Sequence, residues 1–580
     1  FEPDEEALKK WRGNRNNERH FNQIPKMKAS RTRFNRDQTI LTTFDAGKLI
    51  PFYVDEVLPG DTFSVDTLAI IRMTTPKYPV MDDSFIDFYY FFCPDRILWD
   101  NFKHFMGEVE ETPWMPAKNY TVPQIKVNGT DVKPEPDEKS ILDYMGVPTK
   151  IKKPFTINAL PIRAYVKIWN EFFRDENVEN AAVLKSDDAD VTYTMSTGEE
   201  DTLEKELQEA VTGGNLLPVN KFHDYFTSCL PSPQRGPEVT IPMLGAAPVR
   251  PYLIGNKGTG IWGYNVPVTS YGTGTERYEG PLYAGQVTDG KYALVTGVDE
   301  AFKWHGIEDG KTVNSGNAAF AADLSSVTAA TINQLRQAIS VQQYYEALAR
   351  GGSRYREQVQ AIWDVIISDK TVQVPEYLGG GRYHVNINQI VQTSGQQKAA
   401  DTPIGETGAM SVTPINESSF TKSFEEHGFI IGVACVRHNR SYQQGLERFW
   451  SRQDRLDYYV PQFANLGEQP VKKKEIMLTG DTTDDETFGY QEAWADYRMK
   501  PNRVSGLMRS NAEGTLDFWH YADNYEKVPT LSQEWMEEGK AEIARTLIEQ
   551  TEPQFFGAIR VANKTTRRMP LYSVPGLYKL

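Results

Sequence analysis

Between Phe63 and Met73 the chain alternates: Phe63, Val65, Ala69, Ile71 and Met73 are apolar, and Ser64, Asp66 and Arg72 between them are polar. A two-residue period places one set of side chains on each face, as in a half-buried strand. The stretch "LPGD" (Leu58–Asp61) before it joins Pro to Gly and marks a turn. Ahead of that turn, Ile50, Phe52 and Val54 alternate with Pro51, Tyr53 and Asp55. After it, "SFIDFYYFFCP" is a continuous apolar run closed by Pro94, which predicts a strand covered on both faces. The run "GFIIGVACV" reads the same way, with His427 and His438 marking its ends. Aromatics at 12%, 43 Gly and 34 Pro favour such strands and their turns over long helices. Many short strands with long irregular connections predict an antiparallel β-sandwich, with the jelly roll as one option.

Helical signals sit in the connections. "DRILWDNFKHFMG" offers Asp95 as an N-cap and Gly107 as a stop. "LPIRAYVKIWNEFFRDEN" (Leu160–Asn177) puts Ile162, Tyr165, Trp169 and Phe172 on one face, with Pro161 in the first turn. Further helices are predicted over about 329–350, 355–367 and 534–550. Length alone, 580 residues at roughly 150 per domain, would give about four domains, but a sandwich with long insertions stays one unit. The expected division is a basic arm over 1–40, a first part of the sandwich over 41–254 and a Gly/Thr/Tyr-rich surface insertion over 255–326. The rest of the sandwich follows over 327–559, with a basic tail over 560–580. No fixed-period repeat is present.

Charge is unevenly placed. Residues 9–36 hold ten Lys or Arg and one acid, Glu18, in a chain of net charge −15. Arg560, Lys564, Arg567, Arg568 and Lys579 form a second basic stretch with no acid after Arg560. Basic ends on an acidic body are an electrostatic address for a polyanion, or simply solvated tails. Candidate phosphate contacts are Lys9, Lys10, Arg12, Arg15, Arg19, Lys26, Lys28, Arg31, Arg33 and Arg36, with Arg567 and Arg568 from the second stretch. Trp11, Phe21 and Phe34 lie among these cations. They can stack on unpaired bases or anchor the arm to a neighbouring subunit.

No enzymatic pattern stands out. "HGIEDGKT" (His305–Thr312) has His305 where a phosphate loop needs Gly. "YLGGGRY" (Tyr377–Tyr383) predicts a turn or a close chain approach. HExxH and GxSxG are absent, and "DTTDDE" (481–486) lacks the spacing of a calcium loop, which leaves only weak cation binding between subunits open. Cys93, Cys229 and Cys435 are too few and too far apart for a disulfide framework, which fits assembly in a reducing cytoplasm. No leader pattern opens the sequence, and no apolar run reaches the roughly 20 residues of a membrane helix. No cofactor is expected, and no metal site can be named.

Long strings in order resemble the major capsid proteins of the Microviridae, and most closely those of the gokushovirus branch. They are "TTFDAGKLIPFYVDEVLPGDTF", "MDDSFIDFYYFFCPDRILWDNFKHFMGE", "HDYFTSCLPSPQRGPEVTIP", "YQQGLERFWSRQDRLDYYVPQFANLGEQPV" and "FGYQEAWADYRMKPNRVSG", spanning about Thr42 to Trp519. The resemblance implies a mainly β chain with a single eight-stranded antiparallel jelly roll and long loop and helix insertions. It implies self-assembly into a T=1 icosahedral shell around circular single-stranded DNA, built in the host bacterial cytoplasm on an internal scaffolding protein. Further implied partners are a small basic DNA-binding protein, a minor or pilot protein and a host cell-surface receptor. The 255–326 insertion then corresponds to a surface protrusion, with Trp262, Tyr264, Tyr271, Tyr278, Tyr283 and Tyr292 as candidate attachment residues. The competing reading is a sugar-binding or adhesin-like sandwich acting outside any shell, and a phage-associated hydrolase ranks behind it for want of a motif.

Overall fold

The computed structural model describes residues 30–108, 119–128, 136–195, 203–237, 332–352, 354–391 and 407–572, the single residues 239, 393 and 405, and the backbone of short strands between 249 and 322. These fall into two compact units, one drawn from Phe1–Arg235 and Glu346–Leu580, the other from Gly236–Tyr345.

The first unit is built on antiparallel strands in two principal sheets. The strands are β1 (Thr32–Asn35), β2 (Gln38–Phe44), β3 (Ile50–Val57), β4 (Thr62–Met73), β5 (Ser84–Pro94), β6 (Glu376–His384), β7 (Thr413–Ser423), β8 (Gly428–His438) and β9 (Phe555–Arg567). One sheet has five strands: β4 lies between β7 and β9, and both β1 and β2 pair with the far edge of β9. The other runs β6-β5-β8-β3.

The alternation read from β4 is the observed burial pattern. Phe63, Val65, Ile71 and Met73 are buried, whereas Leu68, Ile70 and Arg72 face outward. Strand β9 repeats it, with Phe555, Ile559 and Val561 buried and Phe556, Arg560 and Lys564 exposed. These inward rows meet Phe52, Phe88, Tyr90, Ile430 and Val436 of the four-stranded sheet in one core. Each fully buried Phe, Ile or Val is worth about 1.5–3 kcal/mol. Polar links cross the gap as well: Thr67 Oγ1 lies 2.7 Å from the Tyr90 hydroxyl.

The four-stranded sheet is covered on both faces, as the apolar runs of β5 and β8 predict. Phe91, Cys93, Phe429, Ile431, Val433 and Cys435 point away from the first core into a second one. That core is capped by α1 (Leu160–Ile168), whose Ile162, Tyr165 and Val166 are buried. The predicted helix continues past Ile168 only as a π turn over Trp169–Phe173. Downstream, α2 covers Ile332–Gly351, and α3 covers Tyr355–Trp363 and ends at Asp364 with φ +54°. The helix expected near 534–550 is two short turns, Gln533–Met536 and Ala541–Ala544. All three cysteines are free and buried.

The glycine run "YLGGGRY" lies inside β6, where it allows close chain approach. A Cβ on Gly380 (φ +155°) would sit 2.0 Å from the Phe88 carbonyl oxygen, and one on Gly379 (φ +158°) 2.2 Å from the Ser419 carbonyl oxygen.

Within the second unit, Val249–Leu253 pairs antiparallel with Ala318–Ala322, placing Leu253 opposite Ala318. Pro267–Val268 pairs with Leu282–Tyr283, and Gly306–Glu308 with Lys311–Val313. The phosphate-loop look-alike at His305–Thr312 is therefore a strand pair, not a strand leading into a helix. This unit is wider than the insertion expected over 255–326.

Candidate nucleic-acid interface on the five-stranded sheet

Both basic stretches of the sequence enter the same sheet. Strand β1 pairs with the end of β9, Thr32 opposite Arg567 and Asn35 opposite Lys564. Strand β2 follows along β9 from Gln38 opposite Val561 to Phe44 opposite Phe555. Of the stretch expected as a tail over 560–580, residues 560–567 are thus the second half of a 13-residue strand. Within it Val561, Asn563 and Thr565 are fully buried, so residues 560–567 are part of the sheet.

Pairing sorts the predicted cations into two groups, because directly opposed residues share a face. Arg36 and Arg567 are drawn into the protein. Arg36 makes a two-pronged ion pair with Asp55, Nη1 to Oδ2 and Nη2 to Oδ1, both 2.7 Å. Burial works against the Arg36 charge, but the Asp55 carboxylate outweighs it and raises the guanidinium pKa. Asp55 also accepts from the Tyr53 hydroxyl at 2.8 Å and from Asn563 Nδ2 at 3.1 Å. Since Asp55 is on β3 and Asn563 on β9, this cluster clamps the two sheets together. Burial, and then the Asp55 charge, push the Tyr53 phenol pKa far up. Arg567 Nε donates to Asp61 Oδ2 at 2.8 Å, and Asp61 also accepts from the Leu58 backbone N–H. Arg31 Nη2 donates to the Gly60 carbonyl and to Thr62 Oγ1, both 2.9 Å.

The second group faces outward. Arg33, Arg72, Arg560, Lys564 and Arg568 are exposed. Arg33 and Lys564 lie on adjacent strands, and Arg72 stands opposite Phe556. Arg560 reaches Asp37 at 3.0 Å. The outward carboxylate within these strands is Asp66, which accepts from Ser418 Oγ at 2.9 Å. Leu41, Leu68, Ile70 and Phe556 are exposed among the cations. This face can hold phosphates electrostatically and offers apolar surface to bases.

Of the predicted contacts, Lys9, Lys10, Trp11, Arg12, Arg15, Arg19, Phe21, Lys26 and Lys28 lie outside the described residues. Phe34 stands opposite Thr565, on the core-facing side and half-buried, so it is turned away from this face. Arg72, Arg560 and Lys564 were not among the candidates. Their signal was the period-two pattern of 62–73 and 555–567 read together with charge. Of the attachment candidates, Trp262, Tyr264, Tyr271, Tyr278 and Tyr292 lie outside the described residues, and Tyr283 is placed by backbone alone in a two-residue strand.

The acidic "DTTDDE" loop is occupied by the protein itself. Asp484 accepts from the Thr479 and Gly480 backbone N–H groups, and Asp485 pairs with Lys472 and Lys474. Among the described residues no group of three or more His, Cys, Asp or Glu could hold a metal ion, and no helix is long and apolar enough to cross a membrane.

A family model described as "Capsid protein (F protein)" matches residues 22–577. The chain belongs to this capsid protein family. It is 38% identical to the capsid protein VP1 of Chlamydia phage 1, over 97% of this chain and 98% of that one. It is 38% identical to VP1 of Bdellovibrio phage phiMH2K, over 98% and 99%. It is 35% identical to VP1 of Spiroplasma virus 4, over 95% and 96%. The relatives are gokushoviruses of the Microviridae, as the resemblance implied. The chain is a bacteriophage major capsid protein, a structural component of the virion that forms a multimeric shell. Membership in the capsid family decides against the free-standing adhesin and against a hydrolase.

Proposed function

We propose that this capsid protein lines its shell with the outward face of the five-stranded sheet and neutralises packaged single-stranded DNA there. One observation carries the reading: two basic stretches more than five hundred residues apart are hydrogen-bonded neighbours in one sheet, and Arg33, Arg560 and Lys564 from them stand with Arg72 on its outer face. By charge alone, residues 9–28 add seven of the arm's ten cations to the same role. Contacts of this kind are sequence-independent and release condensed counterions.

The pairing also supports a single eight-stranded jelly roll. Counting β2 to β9 as the eight strands, the first pairs with the last, the second with the seventh, the third with the sixth and the fourth with the fifth. Such a wall suits a T=1 icosahedral shell. The 255–326 insertion presents the attachment surface to the host receptor. A small basic DNA-binding protein, a minor or pilot protein and an internal scaffolding protein complete the partners that the family suggests.

The test compares three chains in salt titrations of oligonucleotide binding: wild type, a chain lacking residues 1–29, and the triple variant Arg72→Ser, Arg560→Ser, Lys564→Ser. Single-strand binding loses about 0.7 of log–log slope per phosphate contact removed. The triple variant is therefore expected to bind with a slope shallower by about 2, whatever the base sequence. An unchanged slope and affinity would remove the sheet face from the interface.

A further inference from the structure

The connection from β8 to β9, residues 439–554, has little regular structure; it sends Tyr521, Ile543 and Leu547 into the first core and forms a small cluster of its own with Tyr225, Phe226 and Cys229. It nevertheless presents an array of large side chains to solvent. Phe449 is 42% exposed, Trp450 66%, Leu456 67%, Tyr458 54%, Tyr459 45% and Tyr497 52%. Its rings form two groups that border one cleft. The Phe449 and Trp450 rings lie 4.8 Å apart. The Arg452 guanidinium stacks 4.3 Å from the Tyr497 ring and 5.6 Å from the Tyr458 ring. Tyr459 lies 6.1 Å from Tyr497.

These rings are held in place before any partner arrives. Arg452 is ion-paired with Asp496. Beneath the array the buried Trp494 adopts φ +65° and donates through Nε1 to the Phe463 carbonyl at 2.9 Å. A non-glycine residue in that conformation costs about 1–3 kcal/mol, and such strain clusters at functional sites. A cleft of about 390 Å³ opens beside the array, lined by Phe449, Trp450, Tyr497, Lys500 and Arg503.

We infer that this array is a subunit contact, covered by a second copy of the same chain. The inference rests on the shell-forming role of the family. Three observations choose the occupant. First, the six side chains expose about half of roughly 200 Å² each, so about 600 Å², near the 800 Å² per partner of a stable interface once the flanking cations are added. Second, the charge is complementary. Residues 447–457 and 496–509 hold seven Lys or Arg against four acids, so the rest of a chain of net −15 carries −18. Third, the cations here already have acids: Lys500 and Arg503 reach Glu447, and Arg498 reaches Glu492. They are less available to phosphates than Arg33, Arg72 and Lys564 on the sheet face. Preorganised Trp, Tyr and Arg next to a cleft are the residues that dominate protein contacts, and the cleft has room for an anchoring side chain from the neighbour.

The test is hydroxyl-radical footprinting of Trp450 and Tyr458 in DNA-filled particles, in empty particles and in dissociated subunits. At least fivefold protection is expected in both kinds of particle. Protection confined to DNA-filled particles would make the array a nucleic-acid contact and overturn the inference, as would equal reactivity in all three. A second arm follows the double variant Trp450→Ala, Tyr458→Ala. Its particle yield should fall at least tenfold while the soluble subunit keeps the wild-type melting temperature. Wild-type particle yield would overturn the contact, and if the variant does not fold the footprint decides alone. Wild-type chains that stay monomeric would overturn the shell reading itself, whereas particles with a reactive Trp450 would overturn the array only.

Discussion

Asp95 and Glu179 are buried carboxyls whose pKa values are pushed up to about 7. Burial is the main cause for both, with the charge of Glu56 adding at Asp95. Each folded-state value lies above the unfolded value of about 4. The folded protein thus keeps protons that the unfolded chain releases, and the stabilisation is fully present below pH about 4 and lost as pH rises through about 7. Denaturant midpoints of the dissociated subunit should therefore contain a component that declines across that window. Asp95→Asn combined with Glu179→Gln should flatten it, and an unchanged slope would mean that neither proton is retained. Such groups were not legible in the sequence, because a lone acid among 78 carries no mark of burial. The same holds for Arg440, which lies buried 2.6 Å from Asp523 and 2.5 Å from Glu538. It also holds for Arg36 and Arg567, whose charge marked them as phosphate contacts. Only the strand register reveals that their guanidinium groups turn inward to Asp55 and Asp61.

At the scale of elements, periodicity carried most of the information. Strand β4 and the start of α1 follow directly from two- and 3.6-residue patterns, because each buries a regular face, and β5 and β8 follow from continuous apolar runs buried on both faces. Strand β9 has equally regular alternation, but its three Lys and Arg drew attention to charge and away from the residues between them. The connection 439–554 could not be read, since turns and short 3₁₀ segments have no period and its packing is supplied by distant residues. The glycine run in β6 allows a sharp test. Gly380→Ala would force a Cβ to within 2.0 Å of the Phe88 carbonyl on β5, at a backbone conformation that L residues rarely adopt. The expected cost is about 3 kcal/mol or more, in the range of changes that strain a special backbone position. Thermal denaturation of the soluble variant measures it, and a loss below about 1 kcal/mol would mean that the two strands can separate without cost.

For the whole molecule, the division into two units predicts what can be removed. The ladder that sets Leu253 opposite Ala318 holds the two ends of the intervening chain side by side. Replacing residues 254–317 with a short Gly-rich turn should leave the two-sheet unit folded and able to form particles, while adsorption to host cells falls at least tenfold. Electron microscopy and a plaque-independent adsorption assay read the two outcomes separately. Loss of particles from a folded subunit would give the insertion a place in the shell wall.

The pairing of β2 with β9 bears on synthesis as well as on shape. Gln38–Phe44 is made more than five hundred residues before its partner Phe555–Val561. Until then β2 has no ladder to join, and β4 keeps one edge open, a template for mispairing. The four-stranded sheet, by contrast, is complete in sequence once β8 has emerged. Folding of the five-stranded sheet therefore waits for β9 and is expected to be slow, as where contacts are distant in sequence. A chain broken off before β9 has neither a closed sheet nor the Arg567–Asp61 pair. Synthesis through β9 is thus tested by the fold before any subunit is offered to a growing particle.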